Sequence, residues 1–379
     1  MKINKLFILG FASLSLLFTA CDTRDEQEVA YEFTLGESVS RNFKGTVIDE
    51  NHNPVAYATI KMGSFTTTSD SNGKFTLASI PVLERFAYLT AEKEGFLKGS
   101  RATMPHDGEN EMTIMLLPRN VVATIPTGQA TNVILPNSVK LSFDGAFMTE
   151  NGTAYSGNVN VIVNHLAAND PDVFIKMPGT LLGTRTNGTL SGMETYGMIN
   201  VELEGTNGEK LQIQTGHEVD MVLPIAENQL DTAPQTIPLW YFDEVNGLWK
   251  EEGFSRKVGN KYYGSVSHFT WWNNDYAYVV ATLYVTVRNS DLSPVNGVRV
   301  TITRQAGSTG DVLMELGVTG ANGTLSAGVP RNEVLIFRAY NSFGNLINQQ
   351  VLPASPDLQR FVEVIIPTVD RVSNPATTK

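Results

Sequence analysis

Cysteine occurs once in 379 residues, at Cys21, so no disulfide can close within the chain and no paired-cysteine zinc site is available. Helical periodicity is missing beyond the first twenty residues, where apolar positions do not recur at three- and four-residue spacing. Positive charge is scarce and scattered, 28 Lys and Arg against 39 Asp and Glu, which removes the electrostatic footprint of a nucleic-acid binder. No apolar run reaches the ~18–20 residues that a membrane-spanning helix needs. The five histidines are His52, His106, His165, His217 and His268, and no two stand at metal-ligand spacing. His-Glu-x-x-His and Gly-x-Ser-x-Gly are both absent. His165, His217 and His268 share one region and could converge in space, but the expectation is no metal and no cofactor. Acidic pairs such as Asp243-Glu244 and Glu251-Glu252 would need partners from elsewhere in the fold to act as a glycosidase. No catalytic residue is assigned.

What is present begins at the N-terminus. Lys2 and Lys5 precede an apolar run from Leu6 to Phe18, which ends at Thr19-Ala20-Cys21. A basic end, an apolar centre and a small-residue cleavage site make a secretory signal over residues 1–20. Leu17-Phe18-Thr19-Ala20-Cys21 resembles the bacterial lipobox, departing from it at Phe18, where Leu, Val or Ile is usual. The resemblance implies lipidation of Cys21 and anchoring at the outer membrane, on its periplasmic face or at the cell surface. Acyl chains contribute about 0.8 kcal/mol per buried methylene, so two or three suffice for stable attachment. The acidic stretch from Asp22 to Glu28 opens a tether over residues 21–40, and is similar to a surface-export signal of some Gram-negative lipoproteins. Removing residues 1–20 takes away Lys2 and Lys5, leaving 26 basic against 39 acidic residues and a formal charge of −13.

The body reads as all-β: Gly is plentiful, and Val, Ile and Thr recur in short bursts between turn signals. Within it a pattern occurs twice. Thr46-Val47, Pro54-Val55, Ala58-Thr59-Ile60, Asn72-Gly73 and Ile80-Pro81 return as Thr286-Val287, Pro294-Val295, Val298-Arg299-Val300, Asn322-Gly323 and Val329-Pro330. Asn-Gly supplies the positive-φ residues of a tight turn. Asp70-Ser71-Asn72-Gly73 lacks the alternating acidic ligands of a calcium loop and reads as such a turn. The first copy, over about 75 residues, resembles the carboxypeptidase regulatory-like domain through Gly45-Thr46-Val47-x-Asp49, Pro54-Val55-x-x-Ala58, Ser69-Asp70-x-x-Gly73-x-Phe75 and Gly95-Phe96. That resemblance implies a seven-stranded transthyretin-like sandwich without catalytic residues of its own. In the second copy Gly320 replaces the aspartate and Leu325 the phenylalanine.

The expected organisation is therefore a regulatory-like sandwich at 41–118, a larger sandwich at 119–278, a second regulatory-like or Ig-like sandwich at 279–368 and a disordered tail at 369–379. In the middle region, Thr131 to Leu135, Val139 to Phe143 and Val159 to Val163 read as strands. Asn-Gly turns stand at Asn151, Asn187, Asn207 and Asn246. Ala167 to Gly192 is Pro- and Gly-punctuated, the character of a binding loop. Leu239-Trp240-Tyr241-Phe242-Asp243-Glu244 and His268-Phe269-Thr270-Trp271-Trp272-Asn273-Asn274-Asp275 are similar to extracellular modules of the astroprincin and cartilage intermediate layer protein families, which are non-enzymatic. Trp240 and Trp249 fit a hairpin with aromatics turned inward. Alternation along a strand puts Trp271 and Trp272 on opposite faces, so Trp271, Trp272 and Trp240 are candidate ligand-binding residues for sugar rings.

The functional expectation is a non-catalytic, lipid-anchored envelope protein used for adhesion or assembly. Its partners would be the membrane through its lipid, an outer-membrane protein or a glycan, and not nucleic acid. One alternative is a glycan-binding accessory of an outer-membrane uptake system. Another is a divergent hydrolase built on the Ala167–Gly192 segment.

Overall fold

The structure is a computed structural model that describes residues 33–305, 311–320 and 322–367. The expected signal at 1–20, Cys21, the tether as far as residue 32 and the tail at 369–379 lie outside the described residues. Strand occupies 59% of the described residues and helix 2%. The molecule is all-β and built of sandwiches, as the turn spacing and β-branched bursts imply.

The first sandwich has seven strands: β1 (Ser38–Asp49), β2 (Thr59–Met62), β3 (Phe65–Thr68), β4 (Lys74–Leu83), β5 (Ala87–Glu92), β6 (Gly99–Thr103) and β7 (Glu109–Leu116). One sheet has the order β4-β1-β7, with β1 and β7 parallel, and the other β3-β2-β5-β6. Period-two alternation sends Phe43, Val47, Ile60, Phe75, Leu89 and Ile114 into a common core. Contrary to the tether boundary at 40, Phe33 and Leu35 pack against Phe86 and β1 begins at Ser38. The apolar side chains of that short stretch find an apolar surface on the first sandwich.

The middle region forms a sheet of thirteen strands folded over on itself. In chain order these are β8 (Val121–Pro126), β9 (Thr131–Ile134), β10 (Lys140–Phe143), β11 (Phe147–Thr149), β12 (Asn158–Leu166), β13 (Leu182–Thr184), β14 (Leu190–Gly205), β15 (Lys210–Ile213), β16 (Val219–Pro224), β17 (Thr236–Asp243), β18 (Leu248–Val258), β19 (Lys261–Val266) and β20 (Trp271–Tyr278). A one-turn helix, α1 (Val173–Lys176), interrupts the Ala167–Gly192 segment. β14, the longest strand, pairs with β12, β13, β15 and β20 and is buried along most of its length.

The last seven strands repeat the first: β21 (Val280–Asn289), β22 (Arg299–Gln305), β23 (Asp311–Val318), β24 (Thr324–Pro330), β25 (Leu335–Tyr340), β26 (Leu346–Leu352) and β27 (Gln359–Ile366). Their sheets are β24-β21-β27, again with β21 and β27 parallel, and β23-β22-β25-β26. The likeness extends to single atoms. Val47 N–H donates to Gly73 O at 2.8 Å and Val287 N–H to Gly323 O at 2.7 Å. The buried Ser69 hydroxyl donates to Val55 O and accepts from Ala58 N–H, both at 2.8 Å. Thr319 does the same toward Val295 O at 2.8 Å and from Val298 N–H at 3.1 Å. Gly73 (φ +72) and Gly323 (φ +73) cannot be replaced without strain, because a Cβ on either would lie 2.4 Å from a carbonyl oxygen of the neighbouring strand. Asp70 caps the first turn through backbone N–H of Asn72 and Lys74. Where the second copy has Gly320, the oxygen comes instead from Asn322, which accepts from Thr324 N–H at 3.1 Å.

The three groups share cores. Leu97 and Leu117 of the first sandwich join Ile162, Met193, Trp240, Trp249 and Trp271 of the middle sheet in one apolar cluster. Phe86 and Ala102 join Leu182, Tyr278 and Val280 in another, where all three groups meet. An ion pair between Arg304 on β22 and the almost fully buried Glu194 on β14 closes the junction to the last sandwich, with Glu333 3.4 Å from the same guanidinium. Each fully buried large apolar side chain contributes about 1.5–3 kcal/mol, so these seams hold the sandwiches as one body. Interfaces between loosely linked domains are ordinarily more polar.

Candidate functional site

All three candidate tryptophans are buried: Trp240 is 0% exposed, Trp271 4% and Trp272 1%. This corrects the expectation of an exposed aromatic platform. Trp271 and Trp272 do point to opposite faces of β20, as alternation requires, but both faces are covered. Trp272 enters the core of the middle sandwich, beside Leu239 and Ile199. Trp271 enters the second core beneath Leu97 and Leu117. Their indole N–H groups are used internally, Trp272 toward His268 O at 2.9 Å and Trp240 toward Asp275 O at 3.3 Å. Trp240 and Trp249 belong to the β17–β18 hairpin, where Trp249 stands opposite Phe242 with ring centroids 5.2 Å apart. None of these tryptophans keeps an exposed face on which a sugar could stack.

The histidines do not converge. His52 lies 3.1 Å from Asp172, His217 2.5 Å from Asp144 and His268 3.5 Å from Glu252, in three separate places. His165 sits 2.9 Å from Asn137, its imidazole held low, at about 4, by burial. Among the described residues no three His, Cys, Asp or Glu side chains are grouped to hold a metal. The acidic pairs are structural. Burial opposes ionisation of Asp243, but the Lys250 ammonium at 2.7 Å and hydrogen bonds from Asn246 and Val245 overcome it and hold the carboxyl near 2. Glu251 binds Arg185, and Glu244 lies 3.3 Å from Lys98.

The Ala167–Gly192 segment does form a cleft wall. Asp170 anchors it through Lys176 at 2.9 Å, and it is stitched to the first sandwich by Ala102 N–H to Gly179 O at 3.0 Å and Gly179 N–H to Ser100 Oγ at 3.2 Å. Gly179 (φ +61) is required there, since a Cβ would meet the Phe242 ring at 2.6 Å. The cleft encloses about 520 Å3 at the three-way junction. Phe174, Met177 and Leu181 come from the segment, Phe33, Phe86 and Met104 from the first sandwich, Tyr278 from the end of the middle sheet and Val280 from the start of the last sandwich. The volume lies within the roughly 300–1,000 Å3 of ligand sites. Arg85 donates to Thr34 O at 3.0 Å, Arg101 to Gly179 O at 3.3 Å, and Asp172 faces His52, so these charged groups already serve the junction. Among the described residues lining the cleft there is no serine, cysteine or histidine. It can hold an apolar body, and it offers acyl transfer no nucleophile–base pair.

A buried polar cluster escaped the sequence. Thr195 on β14 donates to Asn273 Oδ1 at 2.7 Å, next to Asp275, whose carboxyl burial pushes far above its ordinary value. Asn273, Asn274 and Asp275 are all 0% exposed. Nothing in Trp-Trp-Asn-Asn-Asp marks it as interior, because only a strand covered on both faces buries such a run.

Comparison with known proteins bears mainly on the first sandwich. The model of the carboxypeptidase regulatory-like domain family matches residues 42–117. The human cartilage intermediate layer protein 2 is 25% identical over 237 residues, covering 56% of this chain. The chain spans only 19% of that relative's length. Among solved structures, the TIE protein of Bacillus anthracis is 9% identical with a TM-score of 0.19, covering 87% of this chain and 50% of its own. The major pilin subunit BcpA of Bacillus cereus is also 9% identical, with a TM-score of 0.18, covering 87% of this chain and 100% of its own. Those two similarities are too shallow to carry an argument; the chain contains a carboxypeptidase regulatory-like domain and is similar in sequence to part of cartilage intermediate layer protein 2.

Proposed function

We propose that this chain is a non-catalytic scaffold of the cell envelope, anchored by lipid on Cys21 and presenting three sandwiches as one rigid body to a partner. The observation that carries the reading is the pair of apolar seams, one around Leu117 and Trp271 and one around Phe86 and Tyr278, which remove the hinges that a string of independent modules would have. Beads joined by hinges suit multivalent capture; a welded body suits holding a surface at a fixed orientation. The cleft at the triple junction, apolar and without a nucleophile–base pair, supports binding over turnover. The human relative is named for a layer of cartilage, an extracellular material, and a position outside the cytoplasm agrees with the N-terminal signal.

Two measurements test this. In intact cells the wild type should partition into detergent and carry acyl mass on Cys21, and Cys21→Ser should abolish both. A wild type without acyl mass ends the anchoring claim. Cross-linking of intact cells should recover a recurrent envelope partner, whereas turnover of any member of a broad ester, glycoside and peptide panel would overturn the non-catalytic assignment.

A further inference from the structure

Strand alternation on β14 sends Val201 and Leu203 into the middle core and Asn200, Glu202 and Glu204 to the other side. That strip is the floor of a groove of about 780 Å3 between the middle sheet and the first sandwich. The opposite wall is the turn that joins β5 to β6, carrying Glu94, Phe96 and Lys98. Arg119, in the segment between the two groups, is gripped by Glu202 at 2.8 Å and Glu204 at 2.5 Å. Lys98 lies 3.3 Å from Glu244 on the same side. Carboxylates and cations thus alternate along the groove and hold one another in place.

We propose that this groove binds a neutral oligosaccharide. Asn200 is 4% exposed, and its Oδ1 has no hydrogen-bond partner. A buried acceptor left unpaired costs about 1–3 kcal/mol, which a ligand hydroxyl donating to it would recover. Neighbouring sugar hydroxyls each donate and accept, so they match a surface that interleaves carboxylates, an amide, a guanidinium and an ammonium. A half-buried ring, Phe96, offers an apolar edge for the carbon face of a pyranose. A strongly cationic peptide fits less well: Glu202, Glu204 and Glu244 already face cations, leaving mainly Glu94 and Glu150 exposed at the rim. The site needs no stacking on the buried tryptophans and is independent of lipid attachment.

Calorimetric titration of the full chain with gluco-, xylo-, manno- and chito-oligosaccharides, and with a lysine hexapeptide, tests the assignment. One oligosaccharide class should bind, and the peptide should not. Trp271 stands opposite Asn200 across the β14–β20 ladder, so its fluorescence should report the same titration. Asn200→Ala should weaken binding about tenfold, equivalent to one hydrogen bond to a buried group. Because that change touches the interior, the exposed-rim double variant Glu94→Gln/Glu150→Gln supplies a second readout and should also weaken binding while melting like the wild type. No binding of any oligosaccharide at millimolar concentration, affinity unchanged in both variants, or preferential binding of the lysine peptide would each overturn the proposal.

Discussion

Leu117→Ala tests whether the sandwiches unfold as one body. Leu117 is 4% exposed and belongs by sequence to the first sandwich, but its side chain completes the core around Trp240, Trp249 and Trp271. Its carbonyl accepts from Leu97 N–H at 2.8 Å, so the backbone is fixed and the site cannot collapse freely. Buried Leu→Ala changes cost about 2–5 kcal/mol, and about 3 kcal/mol is expected here. The shift in melting temperature depends on how many residues share that loss. With an unfolding entropy of about 2.1 cal/mol/K per residue, a cooperative body of roughly 335 residues should melt about 4 °C lower, in one transition. A first sandwich of roughly 80 residues unfolding alone would drop by about 18 °C and leave the rest unmoved. Calorimetry on wild type and variant distinguishes the two. Separate transitions in the wild type, or a large shift confined to one of them, would refute the welded body.

The repeat predicts matched penalties: Ser69→Ala and Thr319→Val each leave a buried carbonyl and a buried N–H without their shared hydroxyl, and each should lower stability by about 1–3 kcal/mol in urea titrations. Arg304→Met strands the buried Glu194 carboxylate and should cost about 3–5 kcal/mol, most of which a second change, Glu194→Gln, should restore. Because the folded pKa of His165 is about 4 against an ordinary value of 6.5, its contribution is present above pH 6.5 and is lost as pH falls through 4. His165→Gln should therefore remove about 2–3 kcal/mol of acid sensitivity in that window. Asp275 shifts the other way: stability falls as pH rises above the ordinary carboxyl range, since the unfolded state ionises first. Asp275→Asn should raise the urea midpoint at neutral pH and have no such effect below pH ~3.5.

Local chemistry was legible where it acts locally. Asn72-Gly73 and Asn322-Gly323 announce the same turn because a Cβ at either glycine would lie 2.4 Å from a carbonyl oxygen, and seven-residue offsets between Val and Pro reproduce the β1 and β21 turns. The substitution of Asn322 for Asp70 as the turn acceptor was not legible, since it lies two positions away from the residue it replaces. Burial of Trp271 and Trp272 was half legible: alternation separates their faces, but whether each face meets water depends on Leu97 and Leu117, more than 150 positions upstream. The groove was invisible for the same reason. Its floor, clamp and far wall come from β14, Arg119 and the β5–β6 turn, and nothing within any one of them implies the others.

The parallel pairing of first and last strands in each repeat has a mechanical consequence. β1 lies beside β7 along eight residue pairs, from Asn42 opposite Glu109 to Asp49 opposite Leu116, and β21 lies beside β27 over eight more. In a parallel pair the start of one strand and the end of the other are at opposite ends of the ladder. A tensile load entering through the first strand and leaving through the last would therefore slide the two lengthwise, straining all their hydrogen bonds at once. An antiparallel hairpin pulled from its open end peels one bond at a time. Each repeat is thus a lap joint, with its greatest resistance along the direction in which a tethered body would be pulled.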